Sequence, residues 1–176
     1  MAVLLTRKDL RRTSLTPAHA AALRAINKVD LREVRRRAMK YEGWTTARAN
    51  LGEKWYRAFL WLNHLHAGKV YGIVGESDEF WHAHILHTEQ YRADCRRLFG
   101  RYLDHHPIDR VPASMRPGVG HTLRWYNNEF TDGFTLDGAL AKSTRLTSSI
   151  GLAGPTTKTG QMTMHKLIFP CYWIRP

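Results

Sequence analysis

Cysteine is scarce in this chain. Cys95 and Cys171 are the two in 176 residues, far apart in sequence. A disulfide framework is therefore not expected, and a reducing cytoplasm is the default compartment. Long apolar runs are missing too. Nothing approaches the roughly 20 residues of a membrane-spanning helix. The opening "MAVLLTRKDLRRT" reaches charge after the short run "AVLL", too short for a secretory signal. No membrane partner is expected. The nucleotide and acyl-transfer signatures are also absent: there is no dinucleotide fingerprint and no serine nucleophile elbow. "GIVGES" has too few glycines, and no Lys-Ser/Thr ending, to be a phosphate loop. Acidic residues are outnumbered, 15 against 27 Lys and Arg, giving a net charge of +12. Such an excess favours acidic partners.

What is present suits one globular domain. Hydrophobic residues make up 43% and charged residues 24%, over a length sufficient for a substantial core. The charge is uneven. Residues 1–60 carry 14 Lys and Arg against 5 Asp and Glu, whereas residues 61–110 carry 6 against 7. Most of the ten histidines of note fall in that second, near-neutral stretch, so basicity and histidine chemistry need not serve one function.

Helical periodicity runs through the first two thirds. "SLTPAHAAALRAINK" predicts a helix capped by Thr16 with Pro17 at its first position. "DLREVRRRAMKYE" predicts a second, capped by Asp30 and stopped at Gly43. A third spans about Thr46 to His66, with Leu51, Trp55, Phe59, Leu62 and His66 on one face. Ser77 is the expected cap of a fourth, long helix from about Asp78 to Leu103. A shorter helix is expected in "GHTLRWYNNEF". The fold class is mainly α: a compact, bundle-like domain of four or more helices over residues 1–130, packed around the face of the 78–103 helix. Residues 131–176 read as an irregular Ser/Thr/Gly-rich segment. Its apolar tail "HKLIFPCYWIRP" is expected to dock on the same domain or on a partner.

The long fourth helix is where chemistry concentrates. At 100° per residue, Trp81, His84, Ile85, Thr88, Tyr91, Cys95 and Leu98 share its core-facing side. His87 lies at the margin of that face and His82 off it. His82 and His84 point about 200° apart, so they cannot chelate one ion while both are helical. Beyond the helix comes a second cluster, His105-His106-Pro107.

The stretches "EGW" (42–44), "EKWYRAFLWL" (53–62) and "DEFWHAHILHTEQYRADCRRLFGRYLDHHP" (78–107) carry a pattern. It reads Asp-x-x-Trp-His-x-His-x-x-x-Thr-x-x-Tyr-x-x-x-Cys, then Phe-Gly, then His-His before Pro. It resembles that of the bacterial relatives of the glycine-rich-domain-containing-protein-like family, over residues 30–110. The resemblance implies a compact helical module and carries over no catalytic residues. Two positions depart from the family pattern: His87 stands where Asp is frequent, and the entry to the motif reads Gly75-Glu76-Ser77 rather than Pro-Ser. The plant members' glycine-rich tail is absent.

Three function classes follow, and whether the protein is an enzyme stays open. The leading one is a non-enzymatic interaction module with a protein partner. Its motif residues Trp81, His82, His84, Thr88, Tyr91, Cys95, His105 and His106 form a buried hydrogen-bonded network, with His84 bonded to Tyr91. The second is a zinc or iron metalloprotein with hydrolase or oxidase activity, its ligands drawn from His84, His87, His105 and His106. Cys95 joins the candidates by residue type, but eleven helical residues set it about 16 Å along the axis from His84. A mid-helix Cys95 is also a poor nucleophile, lacking the helix N-terminal field that lowers a thiol pKa. The third class is a nucleic-acid binder using Lys28, Arg32, Arg35, Arg36, Arg37 and Lys40, a run interrupted by Asp30 and Glu33.

Overall fold

The computed structural model describes residues 3–12, 14–67, 69, 71–73, 76–105, 116–131 and 171–173. Among the described residues, six α-helices carry the fold: α1 (Pro17–Asn27), α2 (Arg32–Tyr41), α3 (Thr46–Leu65), α4 (Glu76–Ile85), α5 (Thr88–Phe99) and α6 (Arg116–Glu129). Two short strands, β1 (Tyr71–Ile73) and β2 (Cys171–Trp173), pair antiparallel, with Tyr71 opposite Trp173 and Ile73 opposite Cys171. The class is mainly α. The backbone of Cys171–Trp173, within the apolar tail, thus lies against β1. Residues 132–170 and the end of the tail lie outside the described residues.

Local signals set the first helix boundaries. Thr16 accepts the backbone N–H of His19 with Pro17 at the first helical position, and Thr45 caps α3 by accepting from Arg48 N–H. Asp30 acts one residue away from the expected place. Leu31 is the cap of α2, and Asp30 Oδ1 accepts from Arg32 N–H at 3.1 Å. After α2 the chain turns at Gly43, whose φ of +66° lies in the left-handed region. Ser77 is not a cap, because α4 already begins at Glu76 and Ser77 is buried inside its first turn.

The centre of the fold is α3, not the 78–103 stretch. Trp55 through Asn63 are buried without a gap, so this part of α3 is surrounded on every side. The single apolar stripe read from the sequence is therefore too narrow, and its first member, Leu51, is 41% exposed. Helices α1, α2, α4 and α6 pack around α3. Phe59 meets Trp81 of α4 with ring centroids 5.2 Å apart, and Tyr56 meets Phe80 at 5.6 Å. A buried ion pair fixes the α1–α2 connection to this helix. Arg57 Nη2 donates to Glu53 Oε1 at 2.8 Å and to the Val29 carbonyl, while Nη1 donates to the Ile26 carbonyl. At the other edge the N-terminal segment clasps the end of α6. Arg12 grips Glu129 through two hydrogen bonds of 2.6 and 2.7 Å, and Leu10 bridges Phe130.

The expected long helix is two helices. The break falls at Leu86–His87, with His87 as the cap of α5 and no side-chain capping bond. Its consequence is visible at once. The Trp81 indole N–H donates to the Tyr91 hydroxyl at 2.9 Å. In one straight helix those residues stand about 15 Å apart along the axis. Helix α4 packs on α3 while α5 packs on α4 and α1, and this tertiary packing overrides a helical period that continues through the break.

Candidate metal centre

Helix α4 places Asp78 and His82 one turn apart on the same face. Asp78 Oδ2 lies 3.6 Å from His82 Nδ1. The third member arrives from beyond α5. Gly100, with φ +69°, ends that helix in the left-handed conformation, and the chain then runs back past Trp81. The Tyr91 hydroxyl donates to the Leu103 carbonyl at 2.6 Å and so ties the returning segment to α5. Two residues on, His105 lies edge-on to Trp81, centroids 5.0 Å apart, and 4.3 Å from the His82 ring.

Ligand atoms of Asp78, His82 and His105 all lie within 4.8 Å of one another, a group able to hold a metal ion. Tetrahedral bonds of about 2.1 Å set neighbouring ligand atoms about 3.4 Å apart. The Asp78–His82 pair is already close to that spacing, and small side-chain rotations close the rest. Burial grades across the site. The Asp78 side chain is 4% exposed and that of His82 43%, so the carboxylate forms the floor and His82 the mouth.

Among the described residues, His84, His87 and His105 of the sequence-derived ligand set do not form a ligand group together. His84 turns instead to α3 and α5: its Nδ1 is 2.9 Å from the Tyr56 hydroxyl, and its Nε2 is 3.4 Å from Asp94 Oδ2. A carboxylate only accepts, so it favours the proton on Nε2 and leaves Nδ1 to accept from Tyr56. Asp94 also receives Arg97 at 2.6 Å. Burial pushes the Asp94 carboxyl up, but the contacts from His84 and Arg97 outweigh it and leave the pKa below the usual carboxylate range. His87 sits at the cap of α5, its ring pKa lowered chiefly by burial, with neighbouring His84 adding to the effect. His106 lies outside the described residues.

A buried polar network exists: Trp81, His84 and Tyr91 belong to it as expected, Cys95 hydrogen-bonds Tyr91, and Tyr56, Asp94 and Arg97 join them. Trp81, Tyr91 and the Leu103 carbonyl form one branch; Tyr56, His84, Asp94 and Arg97 form another. His84 does not hydrogen-bond Tyr91; the two rings meet edge to face at 5.1 Å. Thr88 is exposed and belongs to neither branch. The Cys95 thiol is buried, and burial raises its pKa, which agrees with an inert core position. Tyr56 was missed because it enters from α3, and Asp94 because an unbroken helix sets it about 15 Å along the axis from His84. Asp78 had a usable signal, since it stands four residues before His82 within the quoted motif.

The basic run on α2 is largely compensated. Arg32 pairs with Asp30 at 2.6 Å, and Arg36 pairs with Glu33. Arg35 turns inward to Asn50 and Glu53, at 3.0 and 3.7 Å. Arg37 and Lys40 each lie 5.0 Å from the centroid of the Tyr41 ring, and Lys28 stands apart beside Asp30 and Glu33. No helix among the described residues is long and apolar enough to cross a membrane.

Fold and site together define a small, mainly α domain whose histidine motif folds into a polar cluster between α4 and the segment after α5. The chain belongs to the UCP032817-like family, whose model matches residues 22–132, more than half its length. That span contains every residue of the Asp78–His82–His105 cluster and of both network branches. No curated protein and no solved structure gives a match.

Proposed function

We propose that the chain is a metal-binding helical module in which Asp78, His82 and His105 hold one divalent transition-metal ion, zinc or iron. The observation that carries this reading is the convergence of their ligand atoms within 4.8 Å. Two imidazoles and a carboxylate are a natural donor set for zinc and for non-haem iron. Three protein ligands leave coordination positions open, the arrangement of catalytic rather than purely structural zinc sites. The half-exposed His82 puts those positions within reach of solvent. A bound ion there supplies Lewis acidity and, with zinc, an acidified water suited to hydrolysis. Asp78, His82 and His105 all lie at positions of the quoted motif and inside the family span of residues 22–132.

The interaction-module reading has less behind it. Tyr41 and Leu86 are 62% and 61% exposed, but apolar side chains exposed singly are ordinary on a protein surface. Calorimetric titration of chelator-treated protein with zinc and with ferrous iron tests the metal reading. One equivalent should bind, and His82→Ala or His105→Ala should abolish binding while His87→Ala retains it. Retention in His105→Ala, or no binding by the parent protein, contradicts the proposal.

A further inference from the structure

A second site stands at the C-terminal end of α5. Arg92 and Arg96, one turn apart on its exposed face, and Arg101, beyond the Gly100 turn, line one concavity with Tyr102. Its volume is about 260 Å³. Elsewhere, Arg24 and Arg37 have no ion pair among the described residues, but other arginines are paired. Arg12, Arg32, Arg36, Arg48, Arg57 and Arg97 each have a carboxylate partner. Arg92 and Arg96 have no ion pair among the described residues, although they repel one another across a single turn. No acidic side chain lines the concavity. A helix C-terminus favours cations, which explains one arginine there but not three converging from two directions on a hollow.

We infer that this pocket binds the phosphate group of a small phosphate monoester. Guanidinium forks match phosphate oxygens in pairs, and a dianion compensates the charges of Arg92 and Arg96, which have no ion pair among the described residues. Tyr102, 41% exposed, adds a hydroxyl donor and an open ring face at the rim. Its other side is seated edge to face on Tyr91, centroids 5.1 Å apart, so the ring is held in place. Size selects the ligand class. The hollow is below the roughly 300–1,000 Å³ of pockets that enclose a drug-sized molecule. It therefore takes the phosphate head and leaves the rest of the ester outside, against Tyr102. Gly100 helps: no atom lies within 4 Å of where its Cβ would stand, so the rim stays open. This site is independent of the metal reading and survives its failure.

The test follows arginine side-chain Nε–Hε resonances by NMR at fixed ionic strength, with inorganic phosphate, a nucleoside monophosphate and a single-stranded oligonucleotide as probes. Inorganic phosphate and the monophosphate should shift Arg92, Arg96 and Arg101 saturably, the nucleotide also moving Tyr102. Arg96→Gln, on an exposed helix face, should weaken binding about tenfold. Arg37→Gln should not change it. Circular dichroism confirms that both variants fold. Shifts equal to those given by chloride, an Arg96→Gln variant with unchanged affinity, or binding of the oligonucleotide without the monoesters overturns the inference.

Discussion

The Tyr91 hydroxyl donates to the Leu103 carbonyl at 2.6 Å while accepting the Trp81 indole N–H at 2.9 Å. One phenol thus joins α4, α5 and the returning segment that carries His105. Tyr91→Phe leaves the Trp81 donor and the Leu103 acceptor buried without that partner, at about 1–3 kcal/mol for each stranded group. Because the same bond places His105, zinc affinity should fall about 10–100-fold, the range seen for groups that orient metal ligands. Urea unfolding and zinc titration on the one variant check both effects. Lost stability with unchanged zinc affinity would show that His105 is placed by other contacts.

Arg57 and Glu53 are 1% and 2% exposed, and Arg57 also holds two carbonyls of the α1–α2 connection. Arg57→Met leaves the buried Glu53 carboxylate with Arg35, 3.7 Å away, as its ion-pair partner. The expected cost is about 3–5 kcal/mol, read from chemical denaturation. A loss below about 1 kcal/mol would mean that the pair contributes little.

Gly52 faces the Trp44 indole so closely that an added Cβ would stand 2.5 Å from Cζ3. That ring is also held by Glu79, which accepts its N–H at 3.2 Å, and by Arg48 at 4.6 Å from its centroid. Gly52→Ala should therefore destabilise by about 1–3 kcal/mol, despite alanine's better helix propensity. A thermal melt raised by the substitution would refute this contact.

Asp94 gives the fold a defined acid sensitivity. Its folded pKa lies below the unfolded value of about 3.9, so its stabilisation is complete above that value. It is lost as pH falls through the folded pKa. Asp94→Asn should be less stable than the parent at pH 7 and show a shallower acid limb below about pH 4. Parallel acid limbs for the two proteins would exclude Asp94 as a contributor.

How far the sequence reveals this molecule depends on how local each feature is. Thr16-Pro17 and Gly43 act on neighbouring residues, and the helix start and turn they imply are where they should be. The α4–α5 break carries no proline or glycine. There α4 packs on α3 while α5 packs on α4 and α1, contacts that the 100° period of residues 78–103 cannot report. The same break redistributes the candidate residues. A single helix directs attention to His84, whereas the broken one leaves His84 with Tyr56 and Asp94 and brings His105 back to His82. The 200° separation of His82 and His84 holds, since both stay within α4 and they serve different partners. The axial separation of Cys95 from His84 assumed an unbroken helix and does not hold as stated, although Cys95 stays outside the ligand group.

Anomalous diffraction at the zinc edge, on crystals grown with zinc, tests the metal centre most directly. One peak is predicted at about 2.0–2.3 Å from one ligand atom each of Asp78, His82 and His105. A peak bound by His84 or His87 instead, or no peak at the Asp78–His82–His105 group, would contradict the assignment.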